Sequence, residues 1–204
     1  IALALAEEGC QVAICARNQA TLNQTVAELN NKRSDCVGLQ VDVTCPTQIQ
    51  QGWETLVRNW GTIDILINNV GGGGERNETR VEDVDEEQWM QTYSLNALAA
   101  LRFTKKAIPL MRKQKWGRVV TIASIQGREG TGRPWYAMSK SAEITLMKTL
   151  ARNAELVRDG LTFNSIAPGT VFTEDNDWGR FKIENPQKFF SVIHEKCPLG
   201  RPGK

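Results

Sequence analysis

A tyrosine and a lysine lie four residues apart in the run WYAMSKSAEITL, at Tyr136 and Lys140. Residues at this spacing share one face of a helix, so the lysine ammonium can lie beside the phenol and favour its ionised form. A phenol whose pKa falls from about 10 toward neutrality can pass protons near neutral pH. The pair therefore predicts a general acid–base centre, although the same spacing also occurs on ordinary surface helices.

Polar and glycine residues at three other places could join this centre. A buried-type strand pattern runs into Asn69 and a glycine run that begins at Gly71, and glycine permits close approach of the backbone to a ligand. Asn96 stands inside an otherwise helical stretch, and Ser124 closes an apolar strand pattern twelve residues before Tyr136. Each residue alone also fits a structural role, as a loop, a helix bend or a hydroxyl bonded to the backbone.

A Pro-Gly turn at Pro168 and Gly169 completes an ordered set of motifs. Along the chain these motifs are NNVG at 68–71, Asn96, TIASIQG around Ser124, YAMSK at 136–140 and PGTVFT at 168–173. In this order the chain resembles the short-chain dehydrogenase/reductase family, whose signatures are an NNAG strand end, an Asn-Ser-Tyr-Lys active site and a PG turn before the substrate loop. The resemblance covers essentially all 204 residues.

The resemblance implies reduction of a carbonyl group, or oxidation of an alcohol when the reaction runs backward. Tyr136 is then expected to give its proton to the developing alkoxide, while Ser124 holds the carbonyl oxygen. Lys140 is expected to lower the tyrosine pKa and to hold the nicotinamide ribose. Asn96 is expected to order a water that leads to Lys140. These four residues form the predicted catalytic set.

The predicted cofactor depends on the end of the first strand pattern in the chain. At this place in a dinucleotide fold, an acidic residue binds the adenine ribose in NAD enzymes and a basic residue accepts the 2′-phosphate of NADP. Here Ala16 stands where the acid would be and Arg17 follows it. A guanidinium offers a charge-assisted fork to phosphate, so NADP(H) is predicted over NAD(H). The alternative is a solvated arginine in a turn.

The resemblance also implies the remaining cofactor contacts. Asp42 is expected to contact adenine through its carboxylate and Val43 through its backbone N–H, with a turn cap as the alternative role for Asp42. The other expected contacts are Asn69, Gly71, Tyr136, Lys140, Pro168, Gly169, Val171 and Thr173.

Apolar runs alternate with helical patterns along the chain. Strand patterns lie at 11–16, 37–41, 63–67, 118–123 and 161–167, and helical patterns at 18–32, 46–60, 85–113 and 136–158. Near-continuous, β-branched strands of this kind are typical of a parallel sheet that is covered on both faces. We therefore expect one Rossmann-like domain over residues 1–204, a doubly wound α/β fold with three α/β/α layers.

Relatives of the family begin with a strand and a TGxxxGxG turn that places the cofactor pyrophosphate at a helix N-terminus. This sequence opens at IALALAEEG, which resembles the rear half of the helix after that turn. It stops at CPLGRPGK, where relatives continue into a further helix and strand. We therefore expect an internal part of a longer enzyme, without the first strand and the glycine-rich turn.

The segment at 170–198 matches the substrate-covering loop of the family. It contains five aromatic residues, Phe172, Trp178, Phe181, Phe189 and Phe190. An aromatic lid suggests an apolar or ring-containing substrate, but packing of helices onto the core explains such residues equally well. The chain also resembles 3-oxoacyl-carrier-protein reductases and bacterial 7α-hydroxysteroid dehydrogenases, and neither likeness identifies a substrate.

The composition and net charge of the chain argue against several classes of binding partner. The 25 basic and 23 acidic side chains give a net charge of +2 without a basic stripe, which argues against nucleic acid and membrane surfaces as partners. No apolar run is long enough to cross a bilayer. Five cysteines without CxxC spacing predict reduced thiols and no metal site. A cytoplasmic enzyme that acts on a small molecule is expected.

Two other functions are compatible with the same fold. The chain could be a non-catalytic binding module of the same fold, or a dehydratase or epimerase that shares YxxxK. The intact catalytic set argues against the first, and the short distance from the PG turn to PLGRPG at 198–203 argues against the second.

Relatives form dimers or tetramers through the two longest helices. Apolar residues that such an interface could bury, or that could face the sheet instead, are Leu98, Leu101, Leu110, Leu146, Met147 and Leu150.

Overall fold

A computed structural model of the protein describes residues 1–73, 80–173 and 177–203. The described strands are β1 (Ala13–Ala16), β2 (Val37–Gln40), β3 (Ile65–Asn68), β4 (Gly117–Ile122) and β5 (Leu161–Ile166). All their pairings are parallel, β1 with β2, β3 with β4 and β4 with β5. Helices connect successive strands, as parallel pairing requires. The predicted α/β fold is confirmed, and the strand ends agree with the sequence patterns to within two residues.

The described residues form ten α-helices, which lie before, between and after the strands. They are α1 (Ala2–Glu7), α2 (Gln19–Asn30), α3 (Pro46–Trp60), α4 (Glu86–Tyr93), α5 (Ala99–Gln114), α6 (Ile125–Glu129), α7 (Pro134–Leu150), α8 (Ala154–Arg158), α9 (Asp177–Glu184) and α10 (Pro186–Lys196). Proline occupies the first turn of α3, α7 and α10, where its missing N–H has no partner to lose.

Two long helical patterns are interrupted in the structure. The predicted helix at 85–113 contains a π-helical turn at Ser94–Leu98, between α4 and α5. The predicted helix at 136–158 ends at Leu150, and α8 begins anew because the side chain of Asn153 accepts hydrogen bonds from two backbone N–H groups of its first turn. The cap at Asn153 is a local cause that the apolar period alone does not reveal.

The strands form two sheets, β2–β1 and β3–β4–β5. A groove of about 570 Å³ separates them, and its apolar lining includes Ile14, Leu39 and Leu66. In a doubly wound fold with strand order 3-2-1-4-5-6, the central first strand occupies this place. The observed arrangement therefore matches the prediction of a doubly wound fold without its first strand.

The main core lies between the three-stranded sheet and helices α5 and α7. It is formed by Leu56, Ile63, Ala107, Met111, Val119, Met147, Leu156, Leu161 and Phe163. Met147 is only 1% exposed and belongs to this core, which favours the alternative that it faces the sheet. Leu110, Leu146 and Leu150 also pack against this core, which favours the alternative that they face the sheet.

The aromatic residues of the predicted lid pack against one another. Phe189 is buried, and the rings of Phe172, Trp178 and Phe181 contact it at centroid distances of 6.0, 6.2 and 6.3 Å. Packing of the rings on one another therefore accounts for four of the five, while Phe190, whose ring centroid is 5.4 Å from that of Phe189, is 60% exposed. Within the described residues, no helix has the length and apolar character to span a bilayer.

Candidate active site

Residues that the sequence singled out follow all five described strands. Arg17 comes directly after β1, Asn69 directly after β3, and Asp42, Ser124 and Pro168 follow β2, β4 and β5 by two residues. Because the strands are parallel, their carboxyl ends lie at one edge of the fold, where ligands bind in doubly wound proteins. The fold brings the predicted residues to this edge.

Gly71 lies where Asn96 and Lys140 converge. A Cβ atom at this glycine would stand 2.5 Å from Asn96 Oδ1 and 2.8 Å from Lys140 Nζ, closer than a side chain allows. Asn96 is fully buried and Lys140 is 3% exposed. Glycine is therefore needed here for close approach rather than for loop flexibility. Three residues predicted from separate motifs meet at this junction.

The amide of Asn96 is held by the backbone. Its Nδ2 donates to Thr92 O and to Gly72 O, both at 2.8 Å, and its Oδ1 accepts from Gly72 N at 3.1 Å. Asn96 lies within the π-helical turn, a feature frequent at functional sites. The side chain therefore fixes the glycine loop after β3 to the start of α5, a role that the sequence did not suggest.

The strand before Ser124 ends earlier than predicted. β4 stops at Ile122, and Ser124 is the N-cap of α6, with its Oγ accepting a hydrogen bond from Gln126 N at 3.2 Å. One lone pair of the oxygen is thus occupied, and the hydroxyl hydrogen is available to donate to a ligand. Ser124 is half-buried, so this hydrogen can reach the edge of the fold.

Helix α6 is fixed to α7 through Gly127. A Cβ atom at Gly127 would lie 2.5 Å from the backbone carbon of Lys140 and 2.6 Å from Ser141 N, so the two helices touch backbone to backbone. The Ser141 hydroxyl donates to Gly127 O at 2.5 Å. This contact sets the position of Ser124 relative to the helix that carries Tyr136. Sequence analysis missed Gly127, whose only signal was a glycine three residues after the serine.

Tyr136 lies in the first turn of α7 and is half-buried. Lys140 Nζ is 5.9 Å from the centre of its ring, and the guanidinium carbon of Arg133 is also 5.9 Å from it. Its neighbour Trp135 is buried and donates from Nε1 to Gly73 O at 3.0 Å. Two cations therefore lie within 6 Å of the ring centre, and positive charge near a phenol favours its ionised form.

Lys140 has a partner that the sequence reading did not identify. Its ammonium donates to Glu143 Oε2 at 2.9 Å and to Ile122 O at 3.0 Å. The side chains of Lys140 and Glu143 are 3% and 2% exposed. Burial raises the pKa of the Glu143 carboxyl, while the Lys140 ammonium acts in the opposite direction. The i,i+3 spacing of lysine and glutamate was the available signal.

The polar residues that follow β1 and β2, at the other end of this edge, are more exposed than Asn96 and Lys140. Asp42 Oδ1 accepts from Thr44 Oγ1 at 2.7 Å and from Thr44 N at 2.8 Å. These bonds hold the pKa of the Asp42 carboxyl below its usual range, and Arg17 adds a smaller effect in the same direction. Asp42 is thus a turn cap, as the alternative reading had it, and it lies near Arg17. Val43 is buried, and Asn69 is exposed beside the groove.

The segment after β5 is tied to α6 and to the end of the chain. Pro168 O accepts from Ile125 N at 3.0 Å, directly beside Ser124. Val171 forms a parallel bridge with Gly203, and Phe172 N donates to Gly203 O at 3.0 Å. Gly169 and Thr173 lie in the same segment without regular structure, and residues 174–176 of the predicted lid, like Gly74 of the glycine run, fall outside the described ranges.

A sequence model described as short chain dehydrogenase matches residues 1–178. The chain belongs to this family. It is 34% identical over 212 residues to a protein named granaticin polyketide synthase putative ketoacyl reductase 1 from Streptomyces violaceoruber, covering 98% of this chain and 75% of the relative. It is 31% identical over 175 residues to a 3-oxoacyl-[acyl-carrier-protein] reductase of Synechocystis, covering 85% and 69%.

Solved structures support the same membership of the short-chain dehydrogenase family. An NAD⁺-bound xylitol dehydrogenase superposes with a TM-score of 0.88 at 27% identity, over 99% of this chain and 80% of that chain. An NADH-dependent reductase, A1-R′, superposes with a TM-score of 0.80 at 27% identity, over 99% and 77%. This short-chain dehydrogenase is therefore an NAD(P)-dependent oxidoreductase. Members of the family act on small molecules and are commonly oligomeric.

Proposed function

We propose that the protein interconverts a ketone and a secondary alcohol, with Tyr136 as the general acid–base. The observation that supports this is the convergence of Asn96 and Lys140 on Gly71, with Lys140 Nζ 5.9 Å from the Tyr136 ring. The arrangement places a fixed positive charge beside a half-buried phenol, which is what a proton donor working near neutral pH requires.

The described side chains have separable tasks in the reduction. The Tyr136 hydroxyl donates its proton to the carbonyl oxygen as negative charge develops on it. The Ser124 hydroxyl donates a hydrogen bond to the same oxygen, since its own oxygen already accepts from Gln126 N. The Lys140 ammonium stabilises the phenolate that remains after proton transfer. In alcohol oxidation the same groups act in reverse order.

The residues at the edge fit a nicotinamide nucleotide. Lys140, packed against Gly71, lies at one end of this edge, and the half-buried Asp42 and the exposed Asn69 and Arg17 line the rest of it. When bound, this cofactor supplies or accepts the hydride. Further contacts are proposed for Val43, Pro168, Gly169, Val171 and Thr173.

We propose that this protein uses NADP(H) in preference to NAD(H). Arg17 is exposed and close enough to Asp42 to influence its ionisation, and Ala16 supplies no carboxylate to compete with a phosphate. The two structural relatives described above are named for NAD⁺ and NADH, so the preference rests on Arg17 and Ala16 alone.

The substrate is proposed to be a small ketone with an apolar or ring-containing body. Two sequence relatives are named as ketoacyl reductases or 3-oxoacyl reductases, and Phe190 of the segment at 170–198 is 60% exposed. A polar sugar ketone is the contrasting class, because one structural relative is named a xylitol dehydrogenase.

A screen of the purified protein tests this proposal. Oxidation of NADPH and of NADH is followed with ketosteroids, 3-oxoacyl thioesters and sugar-derived ketones. We expect substrate-dependent oxidation of NADPH with one of the first two classes. Cofactor binding without turnover of any ketone or, in reverse, of the matching alcohols would contradict reductase function and favour a binding module.

We also propose that the protein is a homodimer or homotetramer through α4–α5 and α7. Leu98 and Leu101 are half-buried and remain available to a two-fold interface. Light scattering at micromolar concentration should give a multiple of the monomer mass, and Leu101→Glu should reduce it. A monomeric mass for the unchanged protein would contradict the proposal.

A further inference from the structure

A buried ion pair lies behind the proposed acid–base centre. Lys140 and Glu143 lie 2.9 Å apart with side chains 3% and 2% exposed, and the mechanism proposed above has no role for the carboxylate. Buried ion pairs seldom add stability over an apolar pair of the same shape, because desolvation of both charges opposes their attraction. Stability alone is therefore a weak explanation for a glutamate at this position.

The pair changes the charge that Tyr136 experiences. A lone ammonium near the phenol would favour phenolate strongly, but a carboxylate bonded to that ammonium cancels part of its field. The same carboxylate, with Ile122 O as the second acceptor, fixes the direction in which the lysine extends. Glu143 can thus act on the tyrosine only through Lys140.

Other charged groups around the site are more exposed than this pair. Arg133 lies over the Tyr136 ring with its guanidinium carbon at 5.9 Å. On α6, Arg128 and Glu129 pair with each other and are 73% and 51% exposed. Glu86 and Glu87, at the start of α4, are exposed to solvent, which screens their effect. Among the described residues packed around α7, Glu143 is the carboxylate buried beside the lysine.

We propose that Glu143 is a positioning residue that holds the Lys140 ammonium in place and balances its charge, and so sets the pH range over which Tyr136 exchanges protons. This inference rests on the proposed function of Tyr136. It predicts that loss of the Glu143 charge leaves the ammonium unbalanced. The phenolate form is then favoured, and ionisation of Tyr136 moves to lower pH.

The chain allows this ionisation to be measured without catalysis. It contains two tyrosines, so a Tyr93→Phe background leaves Tyr136 as the single phenol. Tyrosinate absorbance is titrated in this background for the parent, Glu143→Gln and Glu143→Asp. Glu129→Gln, which removes an exposed carboxylate from the neighbouring helix α6, is the matched control.

We expect Glu143→Gln to lower the ionisation midpoint by about one pH unit and Glu129→Gln to leave it unchanged. Glu143→Asp, whose carboxylate is withdrawn from Lys140 by one methylene, should move it in the same direction by less. If Glu143→Gln fails to fold, the Glu143→Asp titration decides. Midpoints equal to that of the parent, or moved to higher pH, would overturn the proposal.

Activity measurements separate this inference from the proposed function. If the protein reduces a ketone, the acid limb of the pH profile for alcohol oxidation should move with the titration midpoint. A moved midpoint in a protein without turnover would retain the Glu143 inference and reject the reductase assignment. Normal turnover with unmoved midpoints in both Glu143 variants would retain the reductase assignment and reject the Glu143 inference.

Discussion

The two ends of the proposed cofactor edge are built differently. At the nicotinamide end, Asn96, Lys140 and Glu143 are at most 3% exposed and are linked by hydrogen bonds to one another or to the backbone. At the adenine end, Arg17 is exposed and the hydrogen bonds of the Asp42 carboxylate stay within its own turn. An apolar groove separates the sheets that carry the two ends.

Function and stability are therefore coupled at one end of this edge and separate at the other. A group that transfers protons must be held within a fraction of an ångström, which requires neighbours that are themselves packed. A group that recognises a phosphate can extend from solvent and adjust to the ligand. Substitutions at the buried end should therefore alter chemistry and folding together. Substitutions at the exposed end should alter only the choice of cofactor.

The largest effect is expected from Tyr136→Phe. Loss of the phenol should reduce kcat for ketone reduction by about a thousandfold or more, because general acid catalysis contributes up to about four orders of magnitude. Cofactor dissociation constants, measured by fluorescence titration, should change less than about threefold. Turnover within tenfold of the unchanged protein would remove Tyr136 from the mechanism.

Lys140→Met should remove both activity and stability. It leaves the Glu143 carboxylate buried without its partner, which costs about 3–5 kcal/mol in the free energy of unfolding. Lys140→Met combined with Glu143→Leu removes both charges and should recover most of the stability without recovering activity. Equal destabilisation of the single and double variants in urea unfolding would show that the pair is not a coupled unit.

The stability of the Lys140→Met variant should also depend on pH. Burial raises the pKa of Glu143 in the folded state, so the folded protein binds that proton more tightly than the unfolded chain does. Protonation then relieves the buried charge. The deficit relative to the unchanged protein should be largest at neutral pH and should shrink as the pH is lowered from 8 to 5, through the raised pKa of Glu143 toward the ordinary glutamate value of about 4.3. A deficit that is constant between pH 5 and 8 would contradict this assignment.

Gly71→Ala and Gly72→Ala give a sharper test of the packed junction. The added methyl at Gly71 must displace Asn96 Oδ1 or Lys140 Nζ, at 2.5 and 2.8 Å, whereas at Gly72 the nearest atom is Leu95 Cδ2 at 3.5 Å. We expect Gly71→Ala to lower kcat about a hundredfold and Gly72→Ala to lower it less than about threefold. Similar values for the two variants would show that the junction tolerates displacement.

The smallest effect is expected at the exposed end. Ala16→Asp with Arg17→Leu should shift preference from NADPH toward NADH by about ten- to a hundredfold in kcat/KM, the worth of a charged contact to phosphate. The midpoint of thermal unfolding should stay within about 2 °C, because both positions lie outside the core. Equal kcat/KM values for the two cofactors in the unchanged protein would show that Arg17 does not reach the phosphate.

The fold could be predicted from sequence because its strongest signals are local. Near-continuous apolar strands gave β3, β4 and β5 to within two residues, and the order of the motifs placed them at one edge. The interruptions of the two long helical patterns were harder to predict. Asn96 and Asn153 look alike in sequence, yet one lies in a π-helical turn and the other caps a new helix. Which occurs depends on tertiary contacts, such as those of Asn96 with Gly72.

The site was predicted through its polar residues, and what was missed lies in the packing between them. Gly127 matters because the backbone of α7 passes 2.5 Å from where its Cβ would be. No pattern in the sequence reveals this contact. Glu143 has helical spacing from Lys140, but that spacing usually marks a solvated surface pair. Only burial distinguishes this pair from an exposed one. Burial is a property of the assembled core rather than of spacing.

The close contact at Gly127 also bears on how the protein unfolds. A helix of five residues such as α6 is too short to persist alone in water. Its backbone rests directly on α7, so it should open only when α7 does, as one cooperative unit. The amide hydrogens of Gly130 and Arg128, which close turns of α6, should then exchange with solvent at the slow rate of the α7 interior. Ser124 and Tyr136 of the proposed active site would thus be gained and lost together during folding.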